Sequence, residues 1–332
     1  MNELGKKLSV SISIAIAFLI AFSFLYIFLK NNTADLTKQE NDFYSQDFGV
    51  QKKIVILGSS HTGHLNATYL DEYLTKNNKD YKVFNLSITG DRPSQRLGTI
   101  DNLISMKPDL VIYGIGFRDF ENQEFENTDK LNVTENILPD PQTYVQQLIK
   151  LHLLTGYDLN FLQSPKGVTF TFLHDIVSPP SSSPKMYVSN TPFFHPQSIG
   201  IKITILNSTS DYNQEKQDIQ GSLTGIALPD KNIDFLALKE ILTKLREHNI
   251  KAVIFATPYK KSYLDVLPNS YKQIFSSILD DITQQYGVKV YHLDHKYENF
   301  TDIWTDFNHI ALNKKVTIYD DDIGKIILNE AG

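Results

Sequence analysis

The sequence predicts an α/β protein in which a doubly wound parallel β-sheet lies between two layers of helices. Short apolar runs rich in Val, Ile, Phe and Tyr alternate with stretches of helical periodicity along much of the chain. This order is typical of parallel sheets with helices on both faces. Polar segments that contain Gly, Ser or Asp directly follow several of the apolar runs. In open α/β sheets such segments gather at one edge, where ligands bind.

Three strands and two helices are predicted in the first part of the domain. The runs KIVIL, YKVFNLSI and DLVIYGIG predict strands at 53–57, 81–88 and 109–116. The spacing of apolar residues predicts a helix from Leu65 to Lys76. A second helix is predicted from Pro93 to Met106, because the first turn of a helix accepts proline. These elements alternate as β-α-β-α-β.

The C-terminal part continues the alternation. A strongly amphipathic helix is predicted at 233–248, followed by a strand at 250–258. A helix at 271–286, a strand at 288–294 and a last helix at 311–329 complete the predicted elements. Residues from about 120 to 232 interrupt this order and contain the cluster SPPSSSP, which is incompatible with regular structure. We interpret them as an insertion, either a lid or substrate-binding subdomain or a poorly ordered surface excursion.

The N-terminus predicts a membrane anchor. No charged residue occurs from Leu8 to Leu29, a length that matches the apolar core of a bilayer when helical. Lys6 and Lys7 precede the run, which places the N-terminus in the cytoplasm by the positive-inside rule. The predicted organisation is a cytoplasmic stub and signal anchor at 1–30, a polar linker at 31–51 and an extracytoplasmic domain at 52–332. The protein would then be a single-pass membrane protein.

Composition excludes several functional classes. The chain has no Cys, so it forms neither disulfides nor thiolate metal sites and has no Cys nucleophile. Its net charge is −6 and Lys and Arg are not clustered, which argues against a nucleic-acid partner. Hydrophobic residues make up 41% of the chain, enough for a sizeable core. No metal ion or organic cofactor is implied.

Polar groups that could act together follow the strands. The segment Gly58-Ser59-Ser60-His61 comes after the first strand, and Gly90 lies after the second. The third strand is followed by a segment that contains Arg118. Asp306-Phe307-Asn308-His309 follows the last strand and is expected to open the final helix. A parallel sheet would gather these loops at one edge, which brings a Ser, a Gly amide and an Asp/His pair together.

These blocks resemble those of the SGNH (GDSL-like) hydrolase family, which implies an SGNH/flavodoxin-like fold over about 52–117 and 233–329. The resemblance implies a nucleophile at Ser60, an oxyanion-hole amide at Gly90, and Asp306 and His309 as the rest of a catalytic triad. The chemistry fits these residue types, because a serine needs a base of near-neutral pKa and that base needs an acceptor to fix its tautomer. The Ser60 amide would be a second oxyanion donor.

Two positions depart from the family pattern. Ser59 stands where the family usually has Asp, and Arg118 stands where it has the Asn that supplies a third oxyanion donor. Arg118 could donate in place of Asn, form a salt bridge with Asp119, or indicate a negatively charged substrate. Ser59, His61 and Arg92 are candidates for substrate binding.

Each candidate also has a simpler structural reading. Ser60 could be a helix N-cap, Asp306 a cap of the last helix and His309 a surface residue. His61 could line the pocket or cap its loop, while its spacing from His64 could suggest a metal site without a convincing third ligand. Arg92 and Arg96 could be solvated helix charges.

Three functional hypotheses follow. The first is a serine ester hydrolase that removes acyl groups from acylated cell-surface glycans or lipids outside the membrane. The second is an O-acyltransferase that modifies a surface polysaccharide beside a membrane acyl-exporting protein, because the anchor and the Ser-Ser variant resemble proteins of alginate acetylation and teichoic-acid alanylation. The third is a binding module that has kept the fold without the chemistry.

Overall fold

A parallel β-sheet forms the centre of the part of the chain that the computed structural model describes, which comprises residues 42–121, 191–194, 216–217, 219–221, 223, 225–306 and 308–332. Within these residues the sheet has five strands in the order β2-β1-β3-β4-β5, and every neighbouring pair is parallel. The strands are β1 Lys52–Leu57, β2 Tyr81–Asn85, β3 Leu110–Ile115, β4 Lys251–Ala256 and β5 Lys289–His292. The predicted α/β fold with a parallel sheet is confirmed.

The central strand β1 is apolar throughout its second half because both faces of the sheet are covered there. In β1, Ile54 and Ile56 pack into one hydrophobic cluster, whereas Val55 and Leu57 pack into a second one. All four side chains are fully buried. A strand buried on both faces reads as a continuous apolar run instead of an alternating one, which explains the sequence KIVIL.

Helices form the two outer layers. Their bounds are α1 Ser60–Gly63, α2 Ala67–Lys76, α3 Pro93–Leu97, α4 Ile100–Ser105, α5 Ile233–Glu247, α6 Lys261–Val266, α7 Asn269–Tyr286 and α8 Ile318–Glu330, with 3₁₀ turns at Phe117–Phe120 and Pro229–Lys231. Buried residues of α2 and α8 belong to one cluster, and those of α5 and α7 belong to the other.

Local capping interactions explain several helix boundaries. Asn66 precedes α2, and its side chain accepts a hydrogen bond from the Tyr69 N–H at 3.1 Å. Asn232 caps α5 in the same way, through the Phe235 N–H at 3.1 Å. Gly287 ends α7 with φ +62°, a left-handed conformation that glycine adopts without strain.

Two predicted helices differ from the structure. The single helix expected from Pro93 to Met106 is divided at Gly98 and Thr99 into α3 and α4. The last helix does not begin at Ala311, and the segment from Asp306 to His309 does not open it, because α8 begins only at Ile318. Asp306 instead accepts the N–H groups of two following residues. These bonds close a turn that does not continue into a helix.

Several sequence predictions lie outside the described residues. The predicted anchor, the N-terminal stub and most of the linker are among them, as is most of the insertion predicted at 120–232. Among the described residues, no helix has the length and apolar character needed to span a membrane. One described piece of the insertion, at 191–194, packs on the domain, and Phe194 within it is buried.

A close approach between β3 and α1 fixes the helix that carries Ser60. A Cβ atom at Gly114 in β3 would lie 2.2 Å from Cγ2 of Thr62 and 2.5 Å from the Phe255 ring. These distances are shorter than any contact that real Cβ atoms make, so α1 can sit this close to the sheet only because residue 114 is glycine.

Replacing Gly114 tests this packing. We expect Gly114→Ala to lower the free energy of unfolding by about 1–3 kcal/mol, because the added methyl group overpacks a filled contact. The measurement is urea unfolding followed by circular dichroism. Gly221→Ala is the matched control, since a Cβ there meets nothing within 4 Å. Equal stability losses in the two variants would contradict the packing described.

Candidate active site

Ser60 lies at the first position of α1, immediately beyond the carboxyl end of β1. Gly58 makes the turn between them with φ +136°, and a Cβ there would lie 2.5 Å from the Gly114 carbonyl oxygen. The Ser59 carbonyl then accepts hydrogen bonds from the backbone N–H groups of Thr62 at 3.1 Å and Gly63 at 3.0 Å, and these bonds begin α1. The β1–α1 turn therefore presents the Ser60 side chain at the edge of the sheet.

A continuous chain of hydrogen bonds joins Ser60, His309 and Asp306. Ser60 Oγ lies 2.8 Å from His309 Nε2, although the two residues are 249 positions apart in sequence. His309 Nδ1 lies 2.8 Å from Asp306 Oδ2 and 3.0 Å from Oδ1. The carboxylate can only accept, so Nδ1 carries the proton and Nε2 is free to accept from the Ser60 hydroxyl. This is the relation of nucleophile, base and orienting acid that acyl transfer requires.

The Asp306 carboxylate is held in its ionised form. Burial alone would raise its pKa, but hydrogen bonds from the His309 ring and from the backbone N–H groups of Asn308 and His309 outweigh burial. The net result is a pKa of about 2. Asp306 therefore remains a negative acceptor for His309 across the physiological pH range.

A tight reversal of the chain, not a helix, positions Asp306 and His309. Trp304 and Ile310 form an antiparallel bridge, and the Thr305 N–H donates to the His309 carbonyl at 2.9 Å. The simpler reading of Asp306 as a cap of the last helix is therefore wrong. Its side chain organises the turn that presents His309.

Two further imidazole rings flank His309. The His61 ring lies nearly parallel to it, with ring centroids 4.7 Å apart and an angle of 25° between the planes. The His64 ring lies at 5.2 Å and 24°. The sequence shows these residues only as a pair three positions apart. Their common contact with His309 depends on folding across the whole domain.

Both flanking histidines are buried and neutral at physiological pH. Burial lowers the pKa of His61 well below its ordinary value of 6.5, and repulsion from the charges of His309 and Arg118 adds to this effect. Burial and repulsion from His309 lower the pKa of His64 to about 4. Among the described residues, no group of three or more His, Asp or Glu side chains is arranged to hold a metal ion.

The predicted oxyanion residues lie on the two neighbouring loops. Gly90 lies in an exposed turn after β2, with φ +70°. A hydrogen bond of 3.1 Å from the Ile88 N–H to the Gly58 carbonyl joins this loop to the β1–α1 turn that carries Ser60. Arg118 follows β3 on a 3₁₀ turn with 41% of its side chain exposed. Its Nε lies 3.9 Å from Glu121 Oε2.

The alternative salt bridge between Arg118 and Asp119 is not formed. The Asp119 carboxylate accepts the Gly116 N–H at 2.7 Å instead, which closes the 3₁₀ turn. Burial raises the Asp119 pKa to about 7, although this bond opposes the shift. The guanidinium of Arg118 is left at the edge of the site with Glu121 as its nearest carboxylate.

The remaining candidates for substrate binding are largely committed to protein contacts. Arg92 donates to the Glu121 carbonyl at 2.5 Å and to Asp234 at 3.1 Å. Arg96 is buried and pairs with Asp91, so neither arginine is a solvated helix charge. Ser59 and His61 are each 6% exposed, and Ser59 Oγ lies 3.3 Å from His61 Nδ1.

No protein-family model matches the chain, and no curated protein matches it. Several solved structures are similar to it. TesA is 12% identical with a TM-score of 0.41, and the match covers 84% of this chain and 97% of TesA. The acetyl xylan esterase AlAXEase is 13% identical with a TM-score of 0.36, covering 83% of this chain and 98% of the esterase. A GDSL-like lipase from Bacteroides thetaiotaomicron is 10% identical with a TM-score of 0.41, and the match covers 90% of this chain and 98% of the lipase.

The buried His64 predicts a dependence of stability on pH. Its pKa is about 4 in the folded state and near 6.5 in an unfolded chain, so between these values the unfolded state binds more protons. Its contribution is fully present above pH 6.5 and is lost as the pH falls toward 4, a change of about 3 kcal/mol in the free energy of unfolding.

Urea unfolding at pH 4.5 and at pH 7 measures this effect. We expect His64→Gln to show a smaller loss of stability between the two pH values than the unsubstituted protein, since Gln does not titrate. The exposed His248 provides the control, and His248→Gln is expected to retain the full loss. An unchanged loss in His64→Gln would contradict a buried, neutral His64.

Proposed function

We propose that the protein is a serine ester hydrolase of the SGNH type. Ser60 is the nucleophile, His309 the general base and Asp306 the residue that orients His309. The observation that carries this proposal is the unbroken chain from Ser60 Oγ through His309 to Asp306, with both links at 2.8 Å. If Ser60 were only a helix cap and His309 only a surface residue, the His309 ring would need no charged acceptor on the side away from Ser60. A serine nucleophile does need such an acceptor, which holds its base in place.

The proposed reaction proceeds through an acyl-enzyme. Ser60 Oγ attacks the acyl carbon while His309 Nε2 takes its proton, and the ionised Asp306 stabilises the imidazolium that results. His309 then gives this proton to the departing alkoxide, which leaves as the alcohol. A water molecule then gives a proton to His309 Nε2 and attacks the acyl carbon. His309 returns this proton to Ser60 Oγ as the bond between Oγ and the acyl carbon breaks, which releases the carboxylic acid and regenerates Ser60.

The proposed oxyanion hole is formed by the backbone amides of Ser60 and Gly90. The N–H of Ser60 belongs to the first helical turn, where N–H groups have no acceptor within the helix. The loop of Gly90 is bonded to the Ser60 turn, which supports a fixed relation between the two amides. Arg118 is our candidate for a third donor, and its fixed charge would favour an acyl group or leaving group that bears negative charge.

We further propose that the domain acts outside the membrane on acylated glycans or lipids of the cell surface, held there by the predicted N-terminal anchor. No metal ion or organic cofactor takes part in this proposal. The same acyl-enzyme would support transfer to a surface polysaccharide if a glycan hydroxyl replaced water, with a membrane acyl-exporting protein as the donor partner. A binding module without catalysis is the remaining alternative.

Reaction with a fluorophosphonate tests the proposal, because this probe forms a covalent bond with an activated serine. We expect the full-length protein in detergent to gain the mass of one probe, and Ser60→Ala to gain none. The measurement is intact-mass spectrometry, with peptide mapping to locate the adduct.

Ser45→Ala is the matched control, because Ser45 is exposed and bonds only to the backbone of its own turn. This variant is expected to react as the unsubstituted protein does. A folded protein that does not react, or one that is labelled equally in Ser60→Ala, would contradict an activated Ser60 and favour the binding module.

A further inference from the structure

The contacts of His61 and His64 leave each ring with one bonded nitrogen and one buried nitrogen without a partner. His64 Nδ1 lies 2.6 Å from the Ile310 carbonyl and must donate to it, because a carbonyl only accepts. His61 Nδ1 lies 3.3 Å from Ser59 Oγ. Nε2 of both rings is buried and has no hydrogen-bond partner within the part of the chain that the structure describes.

This pattern argues that both rings remain neutral. A second proton on either ring would bury a positive charge and leave the Nε2–H group of that charged ring without an acceptor, which is costly. Among the residues that the structure describes, no carboxylate is in contact with either ring. The His61 ring contacts the rings of His309 and Tyr259, the latter with its centroid 5.2 Å away, and the His64 ring contacts the Phe194 ring with the centroids 5.6 Å apart.

The three imidazoles do not form a metal site. Both nitrogens of His309 are engaged, by Ser60 on one side and Asp306 on the other. Only the two Nε2 atoms of His61 and His64 remain, whereas a zinc site needs at least three protein ligands. The arrangement must therefore be explained by contact between the rings themselves.

We propose that His61 and His64 are positioning residues that hold the His309 ring in the one plane in which it meets Ser60 and Asp306 together. The proposal rests on the proposed function, because it assigns these residues to the same triad. Rotation of an imidazole about its χ2 bond is only weakly restricted by its own chain. Two nearly parallel neighbours within 5.2 Å restrict it strongly.

The positioning rings are themselves fixed. The His64 bond to the Ile310 carbonyl joins α1 to the residue directly after His309. Phe194 packs so closely on α1 that a Cβ at Gly63 would lie 2.4 Å from its ring. The segment Ser59 to His64 thus supplies the proposed nucleophile and the two rings that orient its base.

The neutral rings of His61 and His64 also favour the positive charge that His309 acquires during the proposed reaction. His309 becomes positive when it takes the Ser60 proton, and aromatic faces attract a nearby cation. A protonated neighbour at either position would repel that charge. A positioning ring must therefore be aromatic, but it need not be a histidine, and this requirement gives the inference a specific test.

The test compares rates of fluorophosphonate labelling in a double-mutant cycle. We expect His61→Ala and His64→Ala each to slow labelling by about 10- to 100-fold, the cost of a base displaced by about 1 Å. His61→Phe is expected to restore the rate to within about threefold, because it keeps a flat ring. In a His309→Ala background, His61→Ala should change the residual rate by less than about twofold, since no base remains to be positioned.

His295→Ala serves as the control, because His295 is exposed and paired with Glu298 outside the site. Thermal unfolding confirms that each variant is folded. The inference is overturned if folded His61→Ala reacts at the rate of the unsubstituted protein, if His61→Phe is as slow as His61→Ala, or if His61→Ala has the same effect with and without His309.

A second measurement decides the inference even if the unsubstituted protein does not react and the proposed function fails. The proton on His309 Nδ1, bonded to Asp306, is observable by nitrogen-15 NMR of the histidine rings. We expect its exchange with water to become faster in His61→Ala and to remain slow in His61→Phe. Unchanged exchange in His61→Ala would overturn the positioning role.

Discussion

The parallel pairing of β1 with β2 and β3 is the constraint on which the site depends. Leu57 at the end of β1 lies opposite Tyr113 in β3, and Ile56 lies opposite Asn85 at the end of β2. The three strands therefore run in the same direction and end near one another, and the loops that follow them must share one edge of the sheet. An antiparallel strand in any of these positions would carry its loop to the opposite edge and separate the groups that the site combines.

Buried ion pairs give these loops a defined shape. Arg96 in α3 bonds both to Asp91 and to the Leu86 carbonyl in the loop after β2, while Arg92 bonds to Asp234 at the start of α5. Charges buried in this way are tolerated only when their partners are well placed. The resulting rigidity is what a site needs if its donors are to be fixed before a substrate arrives.

The sequence predicts the sheet well because each strand is an apolar run bounded by turn residues, and it predicts Ser60 and His309 because both follow strands in recognisable blocks. It does not predict the start of α8 at Ile318, because the residues after Asp306 first form a turn closed by the bridge between Trp304 and Ile310, a contact that periodicity does not show. The burial of Arg96 and the contact of His64 with His309 depend on partners that only the folded chain brings close. Local periodicity contains no information about such contacts.

In the proposed mechanism, Asp306 fixes the orientation and tautomer of His309 for proton transfer from Ser60. The rate constant of fluorophosphonate labelling in Asp306→Asn tests this role, because Asn preserves the shape of the side chain and removes its charge. We expect the rate constant to fall by about 10⁴-fold, because an amide can hold the ring in the wrong tautomer. A fall of less than about tenfold in a folded variant would mean that His309 does not depend on Asp306, and would contradict the triad.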